Sequence, residues 1–347
     1  MEMKFKNVLW ILAGALFVGC SDSNNESDDD SDSLFDDGFI VINEGNMSGG
    51  TLSFVDNTFT VTTNDLYGSI NGGDGLGGFV QSVFEAGERA FVVSNGSNII
   101  TVVNENDFTL IDKIDTNLAV PRYGVVYGNR IYVTNQDSFL TTTDDYVAVF
   151  DATTYTHITN IALNTAAERI IEENGKIIVS NGAFGVGTGI TIIDPATNTI
   201  SAQVATPLAP NTIEEENGIL YVLCSNYESA SQLVKINLAT NSITETIAFP
   251  ETLINCSNLT LENGSFYFTK DSKVYRFPLT ATAVTDSPLF TSQAQVLYGF
   301  AVEDNQIFVA DAKDYQSAGA VYIYSANGTL AHTLAVGLIP NGFFFVD

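Results

Sequence analysis

Seven residues stand where they could read a ligand: Gln81, Arg122, Arg169, Asn211, Asn258, Tyr298 and Asn341. Each carries donors or acceptors, and each immediately precedes an apolar run. Aligned repeat on repeat, they fall at one rim of a central channel. Tyr123 follows Arg122 in the same setting. Such a ring can orient a bulky molecule by hydrogen bonds. It can equally satisfy backbone groups or hold water around the channel. Four further aromatics lie in polar stretches: Phe139 in QDSFLTTTDD, Phe184 in NGAFGVG, Tyr227 in SNYESAS and Tyr315 in DAKDYQSAG. Loops that only connect strands are short and polar, so exposed rings there suggest a docking surface. Packing between neighbouring units competes with that reading.

Other chemistries lack their parts. The only histidines are His157 and His332, both in the last strand of a repeat and far from the rim, so no Ser-His-Asp order can be built. The cysteines are Cys20, Cys224 and Cys256, with no CxxC pair, and zinc, haem and iron–sulfur sites want their usual ligands. No intrinsic cofactor or metal is expected. The run Asn71-Gly72-Gly73-Asp74-Gly75-Leu76-Gly77-Gly78 has no P-loop lysine and no helix after it, and reads as a mobile loop on the rim face. Asp144-Asp145 and Asp311-Asp314 are acidic pairs of the kind that solvent usually satisfies. No carboxylate pair is singled out for glycoside hydrolysis. Catalysis is not expected.

The elements that must position the rim are repeated strands. The most apolar are Phe91-Val92-Val93, Ile131-Tyr132-Val133, Ile177-Ile178-Val179, Tyr221-Val222-Leu223, Phe266-Tyr267-Phe268 and Ile307-Phe308-Val309, recurring every 40 to 46 residues. Each sits behind a turn such as Gly128-Asn129, Asn174-Gly175, Asn217-Gly218, Asn263-Gly264 or Asp304-Asn305, where Asn and Gly tolerate the positive φ of a tight hairpin. β-branched residues fill the strands, and no stretch keeps a helical period. Four strands per unit at this period predict an all-β fold, a single seven-bladed β-propeller. Phe39–Asn64 supplies only three strands, and Pro340–Asp347 supplies one. Joined, they make one blade, so the C-terminal strand closes the ring on the N-terminal blade and removes a free edge.

Charge and targeting bound the setting. The 347 residues carry 41 acidic against 13 basic side chains, a formal charge of -28. Nucleic acid needs clustered Lys and Arg, and none cluster here. An anionic membrane surface would repel the body as well. Lys4 and Lys6 precede the 11-residue apolar run Val8–Val18, long enough for a signal peptide and too short to span a bilayer. Gly19-Cys20 then resembles a lipobox, with cleavage before Cys20 and lipidation of its thiol. SDSNNESDDDSDS after it has nothing to bury and reads as a disordered tether. An acidic run in that place resembles the surface-export signal of Bacteroidetes outer-membrane lipoproteins. The expected division is 1–19 signal peptide, 20–37 lipidated Cys and tether, and 38–347 propeller.

The motifs Val41-Ile42-Asn43-Glu44-Gly45-Asn46, Pro121-Arg122-Tyr123, Asp194-Pro195-Ala196-Thr197-Asn198, Tyr298-Gly299-Phe300, Val309-Ala310-Asp311-Ala312 and Pro340-Asn341-Gly342-Phe343 resemble the YncE-like propeller lipoproteins that carry the domain of unknown function DUF5074. The likeness runs from Phe39 onward. A vitamin B12-capturing surface lipoprotein is among the characterised members. The resemblance implies capture without catalysis: a cobamide held on the loop face of a monomeric propeller and passed to a TonB-dependent outer-membrane transporter. Related lipoproteins suggest iron-siderophores as another cargo, and a protein- or glycan-docking face is the alternative of a different class.

Cys224 and Cys256 fall on the loop face in neighbouring blades. An exported chain meets oxidising conditions, which permit a disulfide between them if their Cα atoms lie within about 7 Å. Two buried free thiols acting as small apolar residues are the alternative.

Overall fold

The computed structural model describes residues 38–138 and 140–345, nearly all of it strand and turn. Cys20, the signal peptide and the tether lie outside the described residues, as does Phe139. Seven four-stranded antiparallel sheets are arranged as blades of a propeller. The inner strands are Pro340–Phe345 (blade 1), Val80–Glu85, Pro121–Tyr127, Ile170–Glu173, Pro210–Glu216, Ser257–Glu262 and Leu297–Glu303 (blade 7). Neighbouring inner strands lean on one another, except that blade 4 meets the inner strand of blade 5 through its second strand, Lys176–Ser180, and blade 1 touches both blade 2 and blade 7.

Closure is as the sequence predicts. Pro340–Phe345 pairs antiparallel with Gly38–Asn46, with Phe343 opposite Val41 and Phe345 opposite Phe39. Both chain ends thus share one sheet, and unravelling either would expose the same edge.

The blades hold together because both faces of every second strand are buried. Successive side chains point to opposite faces, so Phe91 and Val93 of blade 2 pack against Ile131, Val133 and Phe150 of blade 3, while Tyr132 turns the other way onto Ile177 and Val179 of blade 4. That double burial is why these strands read as continuous apolar runs. The hairpins between inner and second strands take the expected form. Asn174-Gly175 has φ of 52° and 72°, and Asn217-Gly218 and Asn263-Gly264 repeat the pattern.

On the face carrying these turns, basic residues staple blade to blade. Arg89 donates to the Ala152 carbonyl, Arg130 to that of Pro195 and Lys176 to that of Leu238, each at the third–outer turn of the next blade.

Two expectations are corrected. A short helix, Leu66–Ile70, is capped by Asp65, whose Oδ1 accepts the Gly68 amide at 3.1 Å. Five residues are too few to show a period. The glycine-rich run after it is not a free rim loop. Asn71 donates to the Phe108 carbonyl at 2.9 Å, and Asp74 pairs with Lys113 at 2.7 Å. Gly78 then reaches Ser97 on the loop face, its amide 2.8 Å from Oγ. The run climbs the flank of blade 2 from one face to the other. Among the described residues no helix is long and apolar enough to cross a membrane.

Candidate functional site

Inner strands run away from the loop face and second strands run back to it. The loops leading into inner strands and those joining second to third strands therefore meet on one side. There two adjoining hollows of about 330 and 280 Å³ share Arg169, Phe184 and Tyr298 as common walls. The first is completed by Glu44, Phe79, Gln81, Asn95, Arg122, Tyr123 and Asn341. Asn211, Tyr227, Ser257 and Asn258 are among the residues completing the second. Every described residue of the predicted set lines one or other hollow except Tyr315, which touches Tyr298 edge-on at 5.7 Å. Side chains from all seven blades take part.

The rim residues divide by what already occupies their polar atoms. The asparagines tie blades together. Asn341 Nδ2 donates to the Val80 carbonyl at 3.1 Å, from blade 1 to blade 2. Asn211 Oδ1 accepts the Asn258 amide at 3.3 Å, from blade 5 to blade 6. Asn258 Nδ2 donates to Thr269 Oγ1 at 2.9 Å. The side-chain oxygen of Asn341, by contrast, is buried with no partner.

Arg122 is held as firmly. Its Nε and Nη2 grip Glu168 at 3.0 and 2.7 Å, and Nη1 donates to Gln81. Gln136 adds a donor to the same carboxylate at 2.8 Å, and Gln81 in turn donates to the Tyr123 hydroxyl at 3.0 Å. Burial alone would favour the neutral form of Arg122, but Glu168 beside it overrides this and holds its pKa above the ordinary value.

Arg169 differs. Its guanidinium carbon lies over the Tyr123 ring, 4.1 Å from the centroid. Among the described residues its guanidinium reaches no acceptor within hydrogen-bonding distance. Phe184 and Tyr227 flank it with their rings 65% exposed, which is unusual for aromatics this large.

Three carboxyl groups of the site escaped sequence reasoning. Glu168 directly precedes Arg169, and Glu44 lies in the INEGN motif, but neither spacing announced a role. Burial raises the pKa of Glu44 against the opposing pull of the Tyr298 hydroxyl and Arg122. Tyr298 is pushed up in turn by burial and by Glu44. Glu214, on the inner strand of blade 5, lines neither hollow but lies near enough to Arg169 to feel its charge. Burial pushes it up to about 7, with Arg169 pulling the other way. Glu214 stands in Glu214-Glu215-Glu216, which reads as surface in a sequence.

The disulfide that the sequence permits is not formed. Cys224 and Cys256 are free and buried, in different hydrophobic clusters. Cys224 packs with Ile178, Val222 and Val234, and Cys256 packs beside Leu253 and Phe268. Burial pushes the two thiols up to about 12 and 11. Both act as small apolar residues, the alternative reading.

A larger groove of about 580 Å³ on the opposite face runs between blades 3 and 4. Its Arg130 and Tyr132 are committed to Asn198 at 3.0 and 2.9 Å, which leaves it a seam between turns.

The family model described as "Domain of unknown function (DUF5074)" matches residues 37–293. The match stops at the end of blade 6, so the motifs of the last blade lie outside it. No curated protein matches the chain in sequence. Among solved structures it is similar to a quinoprotein alcohol dehydrogenase-like protein from Bacteroides thetaiotaomicron, at 14% identity and a TM-score of 0.70 over 90% of this chain and 78% of that one. A computationally designed protein, Ika8, matches at 11% identity and a TM-score of 0.59 over 89% and 88%. The hydrazine synthase of Kuenenia stuttgartiensis matches at 15% identity and a TM-score of 0.56 over 74% and 86%. At such identities the likeness is one of fold.

Proposed function

The chain belongs to the DUF5074 family, and from that premise we propose that it is an outer-membrane lipoprotein, anchored through Cys20 and displayed at the cell surface, whose loop face captures a bulky small molecule for a TonB-dependent transporter. A cobamide is the first choice of ligand and an iron-siderophore the second. The observation that carries the reading is the basin itself. Two joined hollows draw side chains from all seven blades and set exposed rings among many convergent polar groups, a more polar lining than most small-molecule sites have. The basin sits at the mouth of a closed ring as such sites do. The apolar run before Gly19-Cys20 supports the anchor.

Titration with cyanocobalamin, read by its visible absorbance and by calorimetry alongside a siderophore panel, tests the ligand. Binding that weakens in Phe184→Ala and Tyr227→Ala is the expected result. Silence for every compound refutes small-molecule capture. Because Phe184 and Tyr227 are so exposed, a protein or glycan partner recovered only when both rings are intact would replace it. Catalysis draws on one observation, the raised pKa of Glu44 in the basin and of Glu214 near its Arg169 wall. A ligand recovered chemically altered after incubation would establish it.

A further inference from the structure

The basic residues are few, and nearly all are already committed. Arg89, Arg130, Lys176, Lys235 and Arg276 donate to backbone carbonyls of a later blade or turn. Lys313 caps the carbonyls of Ala318 and Gly319 in its own loop. Lys113 and Lys270 pair with Asp74 and Asp271, and Arg122 with Glu168. Among the described residues this leaves two without a hydrogen bond or ion pair, the exposed Lys273 and Arg169. Only Arg169 lies in a concave site.

Its setting favours one kind of ligand group. A guanidinium carries five N–H donors in a planar fork that fits a carboxylate, phosphate or sulfonate. The Tyr123 ring, 4.1 Å from the guanidinium carbon, holds the head group over one spot, so less rotamer freedom remains to be lost on binding. The nearby carboxylates do not take the role. Glu168 is occupied by Arg122 and Gln136 and Glu44 by the Tyr298 hydroxyl, while Glu214, whose burial opposes its charge, feels Arg169 only at a distance, with no hydrogen bond or ion pair between them. The formal charge of -28 opposes an anion only weakly here, because charges beyond about 8 Å are screened at physiological salt. On the common wall of both hollows the fork can meet an anionic group while Phe184 and Tyr227 meet a flat apolar one.

We infer that Arg169 is the docking point for an anionic group on the ligand, so that the basin selects a flat molecule bearing a carboxylate, phosphate or sulfonate over its neutral counterpart. This rests on the basin reading above and adds the charge of its ligand.

The test uses the full-length protein in matched detergent and calorimetry with two probes of one skeleton, 2-naphthalenesulfonate and the uncharged 2-naphthalenesulfonamide. The sulfonate binds about tenfold or more tighter than the sulfonamide, the yield of a charge-assisted hydrogen bond. In Arg169→Gln that preference disappears and sulfonamide affinity is unchanged, while Arg169→Lys keeps part of it. Phe184→Ala weakens both probes, and Lys273→Gln, which removes the other uncommitted cation, alters neither. Equal affinity of the two probes for the unmodified protein, with both weakened by Phe184→Ala, overturns the assignment and leaves the basin standing. A preference that survives Arg169→Gln overturns it too. No binding of either probe, or binding indifferent to Phe184→Ala, overturns the basin reading and this inference together.

Discussion

Replacing Glu214 by Gln should stabilise the protein, and by an amount that depends on pH. The carboxyl titrates near 4.5 in an unfolded chain and at about 7 in the folded ring, where burial disfavours its charge more than Arg169 favours it. A folded value above the unfolded one means that the folded state holds the proton more tightly. Its contribution to stability is therefore complete below pH 4.5 and is lost as pH climbs through about 7. The interval is worth about 3 kcal/mol at pH 8 and under about 1 kcal/mol at pH 5. Channel water reaching the group trims the upper figure toward about 2 kcal/mol. Glutamine has the size and hydrogen-bonding capacity of the protonated acid and no charge to desolvate. The variant should thus match the parent at pH 4.5 and exceed it by about 2–3 kcal/mol at pH 8. With an unfolding entropy of roughly 2 cal/mol/K per residue, that raises the melting temperature by roughly 3–5 °C. Guanidinium unfolding at pH 5 and pH 8, with refolding checked at both, reads the difference directly. Subtracting the parent curve removes the other raised carboxyls, Glu44, Asp145 and Glu173. A gain that is flat with pH, or a variant weaker than the parent at pH 8, would show that Glu214 is charged and content where it sits.

Removing the Glu168 carboxylate should be costly in the opposite sense. Glu168→Ala leaves Arg122 buried without its partner, a loss of about 3–5 kcal/mol in denaturant midpoint, and a double-mutant cycle with Arg122→Ala should recover much of it. Phe268, buried between Phe249, Phe266 and Tyr275, should cost about 3–5 kcal/mol on truncation to Ala, read by the same unfolding curves. Gly264 has φ of 69° and nothing within 4 Å of an added Cβ, so Gly264→Ala should lose about 1–2 kcal/mol through the backbone alone. Cys224 and Cys256 should resist a thiol reagent until the protein unfolds, and unreduced peptide mapping should recover them unlinked.

What the sequence made legible was the repeat. A blade buries both faces of its second strand, so every blade must place β-branched or aromatic residues there. The hairpin in front of that strand must turn through positive φ, so Asn and Gly mark it. These are local demands, and they survive in the letters. The rim followed from them, because one position per blade lies at the mouth of the channel whatever residue fills it. The state of each rim residue did not follow, because it is set by a side chain one blade away. Arg122 and Arg169 occupy equivalent places in adjacent blades and look alike as letters. Arg122 is closed off by Glu168, a residue next to Arg169 in the chain, while Arg169 is left with its donors open over Tyr123, a residue next to Arg122. Each arginine thus lies on the residue adjoining the other, a cross-pairing over 46 positions that no spacing rule encodes. The same holds for Glu214, whose neighbours Glu215 and Glu216 give it the look of a solvated run until the inner strand carries it into the ring. Local propensity therefore placed the ring and its mouth, and contacts between neighbouring blades decided which of two similar cations is free to meet a ligand.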